Sequence, residues 1–151
     1  MRRRWWQVLW RLGRRPVRGC RVLAIDPAGR VLLIRHSYGD RSWMLPGGGI
    51  DHGEHPDDAV RRETFEETGL RLDDARLVGA GSRHFTGLSP LRVLENFHSV
   101  RILYTGRITD RSRPQVQEVD GSTDAAAWVP RAELARIPLA DLVRDALERW
   151  G

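Results

Sequence analysis

The sequence contains no lysine; all 25 of its basic residues are arginine. GC-rich coding explains that more simply than a recognition surface does. Cysteine is almost absent as well. Cys20 stands alone, which excludes an intramolecular disulfide framework and fits a reducing, cytoplasmic setting. No apolar run approaches the roughly 20 residues that a membrane-spanning helix needs. Acidic residues are missing from the first 21 positions, which hold eight arginines. The other 17 arginines face all 20 acids, a net of −3. The pI of 10.7 therefore reports a basic head on a mildly acidic body, and no specific nucleic-acid partner is expected from it.

What is present is enough for one domain with a full hydrophobic core. Residues 1–16 read as a basic amphipathic N-terminal helix: Trp5, Val8, Leu9 and Leu12 share one face, and Gly13 and Pro16 stop it. Three roles stay open for it. It packs on its own domain or on a sister subunit in a homodimer, makes a weak membrane-surface contact with anionic lipid, or serves as a targeting or nucleic-acid arm. Arg11 interrupts its apolar stretch and no small-residue cleavage site follows, which argues against a secretory signal. From residue 17 to 151 the pattern is that of a single domain. Cys20–Ile25 and Val31–Ile34 are β-rich runs around the turn sequence Asp26-Pro27-Ala28-Gly29, so a hairpin is expected. Ser42–Leu45 leads into a glycine loop, and a helix should start near His55 or Pro56 and stop at Gly69. Leu77–Phe85, Phe97–Ile108 and Ala126–Val129 read as strands, with loops over Thr86–Asn96 and Thr109–Asp124. Helical pieces close the chain at Arg131–Arg136 and Leu139–Trp150. Strands on both sides of one central helix favour a mixed α/β sandwich over a doubly wound parallel fold.

The chemistry concentrates in the 23 residues from Gly48 to Leu70. At about 100° per residue, Glu66 lies about 60° behind Glu63 and Glu67 about 40° ahead of it, one turn along. Three carboxylates on one arc repel each other unless a cation or protons compensate. Magnesium, which prefers oxygen ligands, suits that role against a diphosphate. Arg62 precedes Glu66 by four positions and can fix its rotamer, and Glu54 on the preceding loop can reach the same guanidinium. The glycines at 47, 48, 49 and 53 let backbone groups approach an ion or phosphate.

The stretch resembles the signature of the Nudix hydrolase family at every position but one. Thr64 stands where an aliphatic residue is usual, and its hydroxyl can bond back to the carbonyl of residue 60. Looser resemblance runs over roughly residues 18–137, through Gly29–His36, Trp43–Gly48, Trp128-Val129-Pro130 and Glu133-Leu134. The resemblance implies a Nudix-type α/β/α sandwich with a central mixed β-sheet. It also implies hydrolysis of a phosphoanhydride in a nucleoside diphosphate linked to another moiety, with Mg2+ or Mn2+. Glu63, Glu66, Glu67 and the Gly47 carbonyl are then the expected metal ligands, and Glu63 also the group that orients or deprotonates the attacking water. Arg62 and Glu54 position them. Glu118, in the long loop before residue 126, is the candidate distal base or ligand, with Glu95 second.

Substrate contacts are expected outside the signature. Arg35 and Gly48 are the chosen candidates, among a wider set of His36, Tyr38, His84, Phe85, Phe97, His98 and Tyr104. (d)NTPs, nucleotide sugars, ADP-ribose, dinucleoside polyphosphates and capped RNA are not distinguished by any sequence marker. A catalytically inactive nucleotide-sensing module is the alternative, but such modules typically lose carboxylates that this chain keeps. Isopentenyl diphosphate isomerase chemistry would want a catalytic cysteine, a role Cys20 fits poorly.

Overall fold

The computed structural model describes residues 14–88 and 94–151, with the side chains of residues 14–17, 85, 88, 94 and 95 left aside. The expectation for residues 1–13 lies outside the described residues. Residues 14–16 do not extend that helix. They open strand β1 (Arg14–Ala24), which runs parallel to β6 (Leu94–Arg107) from Arg14↔Asn96 onward. Pro16 is tolerated there because β4 (Gly47–Gly49) pairs with β1 only at Gly19–Arg21, leaving one side open at the start of the strand. Strand β5 (Asp74–Leu88) completes a four-stranded mixed sheet in the order β4-β1-β6-β5. A second sheet has the order β3-β2-β7, from Trp43–Met44, Arg30–His36 and Thr123–Pro130.

The expected β1–β2 hairpin is replaced by this division. The turn forms, but the two strands share only the bridge Ile25↔Val31 and enter different sheets. Both runs are apolar on successive residues, so both faces must be covered, which a two-stranded ribbon cannot do. Helix α1 (Pro56–Thr68) covers one face, packing Ala59 and Val60 on Cys20, Val22, Ala24 and Leu32. Helix α2 (Asp141–Trp150) covers the other, packing Val143 and Ala146 with Leu23, Val31, Leu33 and Val129. The result is an α/β/α sandwich. A 3-10 helix, Arg131–Arg136, joins β7 to the segment before α2. Strands β5 and β6 are longer than their apolar runs indicated, since they carry their ladder out to Leu88↔Leu94 across part of the expected loop. No helix of the described residues is long and apolar enough to cross a membrane.

The β1–β2 turn is held by one buried carboxylate. Asp26 accepts hydrogen bonds from the amides of Ala28 and Arg30 and from the Arg30 guanidinium, at 3.0, 2.8 and 2.7 Å. Burial alone would raise this carboxyl; the Arg30 amide and guanidinium outweigh it and hold it below the ordinary range. Its stabilisation is therefore complete above the unfolded pKa of about 3.9 and is lost as pH falls through the lower folded value. Asp26→Asn is expected to cost about 1–2 kcal/mol at neutral pH. Urea unfolding at several pH values should show that deficit shrinking below about pH 4.

Candidate active site

Helix α1 begins where the sequence predicts. His55 caps it through Nδ1, which accepts from the Asp57 amide, and Pro56 occupies the first turn. Gly69 ends it in the left-handed region at φ 70°, with its amide bonded to the Phe65 carbonyl. Thr64, the one departure from the signature, is fully buried and donates to the Val60 carbonyl at 2.6 Å, as expected.

One guanidinium organises the acids at the helix. Arg62 grips Glu54 with two bonds of 2.8 and 3.0 Å, donates through one Nη to Glu63 and Glu66 at 3.0 and 3.1 Å, and reaches the Gly49 carbonyl at 3.0 Å. Its bonds with Glu54 pull that carboxyl down to about 2. Glu63 is different. Burial raises its pKa against the pull of Arg62, and its carboxylate lies directly against Gly48. A Cβ added at Gly48 would stand 2.5 Å from that carboxylate. Gly48→Ala should thus displace Glu63 while leaving an ordinary backbone conformation intact. Its kcat is expected to fall about 100-fold, the scale for a catalytic group moved by about 1 Å. Steady-state kinetics beside a melting curve that moves little would bear this out.

Glu67 is the most enclosed acid, only 3% exposed. It accepts from the Gly47 amide at 2.8 Å and the Thr123 hydroxyl at 2.9 Å. Burial pushes its carboxyl up to about 7, against the pull of Arg21 and these two bonds.

A cleft of about 300 Å³ opens beside these groups. Glu63, Glu67, Gly47 and Gly48 line it, and Glu118 joins them from the long loop. That loop is held by orphan carbonyls at the end of α1: Glu66 accepts from the amides of Gln117 and Glu118, and Thr68 from that of Gln115. Arg18, Arg21 and Arg101 line the same cleft, and Arg21 lies close enough to Glu63 and Glu67 to pull their carboxyls down. His36 and Tyr38, stacked with ring centroids 5.1 Å apart, stand at the edge of the cleft.

Several expected residues lie elsewhere. Arg35 pairs with Asp124 at 3.0 Å and covers the Trp43 ring, and it does not line the cleft; alternation along β2 sends its neighbour His36 there instead. Glu66 stays in the Arg62 network. Tyr104 is buried in the core and bonds Asp57 at the helix start. His84 and His98 pair edge to face on the β5–β6 ribbon, and Phe97 lies on β6, all away from the cleft. The side chains of Glu95 and Phe85 fall outside those described. Arg21 was not among the expected site residues; it donates to the carbonyls of Leu45 and Gly47 at 2.9 and 2.6 Å. A charge inside an otherwise apolar strand was the available signal.

Among the described residues, no three acidic, histidine or cysteine side chains converge as a closed metal cage. The donor chemistry nevertheless fits a hard divalent cation. Glu63 and Glu67 are desolvated carboxylates with raised pKa values, they line one cleft, and both offer oxygen.

The family profile described as NUDIX domain matches residues 15–150. Among curated proteins, the chain is 44% identical over 143 residues to an RNA pyrophosphohydrolase of Photobacterium profundum, covering 86% of this chain and 80% of that one. It is 52% identical over 143 residues to an RNA pyrophosphohydrolase of Aliivibrio fischeri, covering 86% and 82%. Among solved structures, it is similar to the MutT NUDIX hydrolase from Burkholderia pseudomallei, with a TM-score of 0.65 and 28% identity over 91% of this chain and 99% of that one. The NUDIX domain of Shewanella oneidensis NrtR, solved with ADP ribose, shares the fold at a TM-score of 0.69 and 23% identity over 91% and 90%.

Proposed function

This chain belongs to the NUDIX family, and from that premise we propose that it hydrolyses the polyphosphate at the 5′ end of RNA, leaving a shortened 5′ phosphate. That it is a Nudix hydrolase acting on a pyrophosphate bond follows from the family; the RNA end is the reading offered here. The observation that carries it is the lining of the cleft. Acids and arginines line one cleft of about 300 Å³, so a single space offers both carboxylates and donors for phosphate oxygens.

The arginine wall takes the charge of the phosphates. Arg21 and Arg101 offer planar forks of N–H donors that match phosphate oxygens. Glu63 accepts the proton of the attacking water, and burial makes its carboxylate more basic than an exposed one. Glu118 faces the same space and is the second candidate acceptor. Arg62, itself fixed by Glu54, positions Glu63 by donating to one of its oxygens. Gly47 and Thr123 hold Glu67 in the same way. The divalent ion on which the family relies, proposed as Mg2+ or Mn2+, would be held by Glu63 and Glu67, with Glu66 joining through the oxygen that Arg62 leaves free and the Gly47 carbonyl only on exchanging its bond with Arg21. It would make bound water more acidic and neutralise the departing phosphate.

A panel with Mg2+ and Mn2+ tests the reading: 5′-triphosphorylated oligoribonucleotides, nucleoside triphosphates, ADP-ribose and dinucleoside polyphosphates. The oligoribonucleotide should give the highest kcat/KM. A higher value for ADP-ribose or a dinucleoside polyphosphate would replace it.

A further inference from the structure

The basic wall of the cleft does not stop at the cleft. Arg21 on β1 is level with Leu103 on β6, Arg101 on β6 is level with Gly19 and Gly81, and Arg83 on β5 is level with Ser99. Residues level on adjacent strands share a face, so the three arginines occupy successive diagonal positions on one face of the sheet. Each step is roughly 7–8 Å, similar to the separation of consecutive phosphates along an extended nucleic-acid strand.

Arg101 is the informative member. It is half-buried and has no hydrogen-bond or ionic partner among the described residues. Burial, then repulsion from Arg21 and Arg83, disfavours its charge. A half-buried guanidinium between two others is stabilised by an anion, and among the described residues no carboxylate pairs with it. Asp141 and Asp145 border the second cleft that Arg101 and Arg83 share, but neither pairs with them. Asp141 is 95% exposed and faces Arg144. Gly19 and Gly81 flank Arg101; a Cβ at Gly81 would meet nothing within 4 Å, while one at Gly19 would stand 3.2 Å from the Gly48 carbonyl. The arginine thus lines both clefts and is open on the Gly81 side.

We propose that Arg101 and Arg83 hold the first internucleotide phosphate downstream of a polyphosphorylated 5′ end seated at Arg21, so that the enzyme prefers an oligonucleotide to a free nucleoside triphosphate. The inference rests on the RNA-end reading above and adds the subsite that tells an RNA end from a nucleotide.

The test compares kcat/KM for a 5′-triphosphorylated tetranucleotide and for ATP. Arg83→Ala should lower the tetranucleotide value about tenfold, reduce the slope of its salt dependence by about one, and leave ATP within about twofold. Gly81→Leu should fill that open side with the same selectivity while Arg83 is intact. Equal losses on both substrates, no loss on either, or a wild type without preference would overturn the subsite. A wild type that hydrolyses neither substrate removes the RNA-end reading instead. The subsite is then judged by fluorescence anisotropy with a 5′-hydroxyl tetranucleotide. Roughly tenfold weaker binding by Arg83→Ala supports it, and an unchanged Kd overturns it.

Discussion

Replacing Glu63 by glutamine is expected to lower kcat about 1000-fold, within the range for a lost general base, while the protein stays folded. Glutamine keeps the shape that fits against Gly48 and still offers an oxygen to Arg62, so the packing of α1 is preserved. What disappears is the negative charge. The side chain can no longer take a proton from water, and its hold on a divalent ion weakens. KM should change little by comparison, because the proposed phosphate contacts are the arginines of the cleft, which the substitution leaves in place. Single-turnover kinetics and a thermal melt on the same preparation decide it. If Glu63→Gln keeps its activity, the proton acceptor is elsewhere, and Glu118→Gln should then carry the loss.

Removing Arg62 is the second large effect, felt first as stability. This guanidinium compensates Glu54, Glu63 and Glu66 together and caps the Gly49 carbonyl. Breaking a buried ion pair costs about 3–5 kcal/mol, and partial solvent access lowers that here to about 2 kcal/mol for Arg62→Ala. Arg62→Lys should recover little of it, since a point charge cannot reproduce the two-pronged grip on Glu54. The sign with pH follows from Glu54, whose folded pKa is depressed. The deficit is complete above the unfolded value of about 4.3 and fades as pH falls toward about 2. Urea titrations of wild type and both variants at pH 7 and pH 3 measure this. A deficit that grows on acidification would contradict the assigned role.

The chemistry of the helix was legible in the sequence because it is local. Arg62, Glu63, Glu66 and Glu67 are fixed by helical geometry within two turns, and His55, Pro56 and Gly69 mark its ends by rules of capping. The arginine wall was not legible, because Arg21 and Arg101 meet only through the parallel pairing of β1 with β6, across about eighty residues of chain. Arg35 was chosen as the basic contact on β2, and one step of strand alternation puts His36 in the cleft in its place. The β1–β2 turn was read correctly, whereas the partners of its strands depended on what covers each face. Glu118 could be nominated but not placed, since the capping of α1 by its loop is a long-range event. Charge counting set the basic head apart from an acidic body and so argued against nucleic acid. It could not register three arginines aligned on one sheet face, which is the feature that now supports an RNA end.

The most direct test is the mass of the 5′ terminus after a 5′-triphosphorylated oligoribonucleotide is incubated with the wild-type enzyme, in Mg2+ and with the metal chelated. Conversion to a 5′-monophosphate end is expected in Mg2+, and an intact triphosphate with chelator. An intact triphosphate end in Mg2+ and in Mn2+, from a preparation that turns over a free nucleotide, would contradict it.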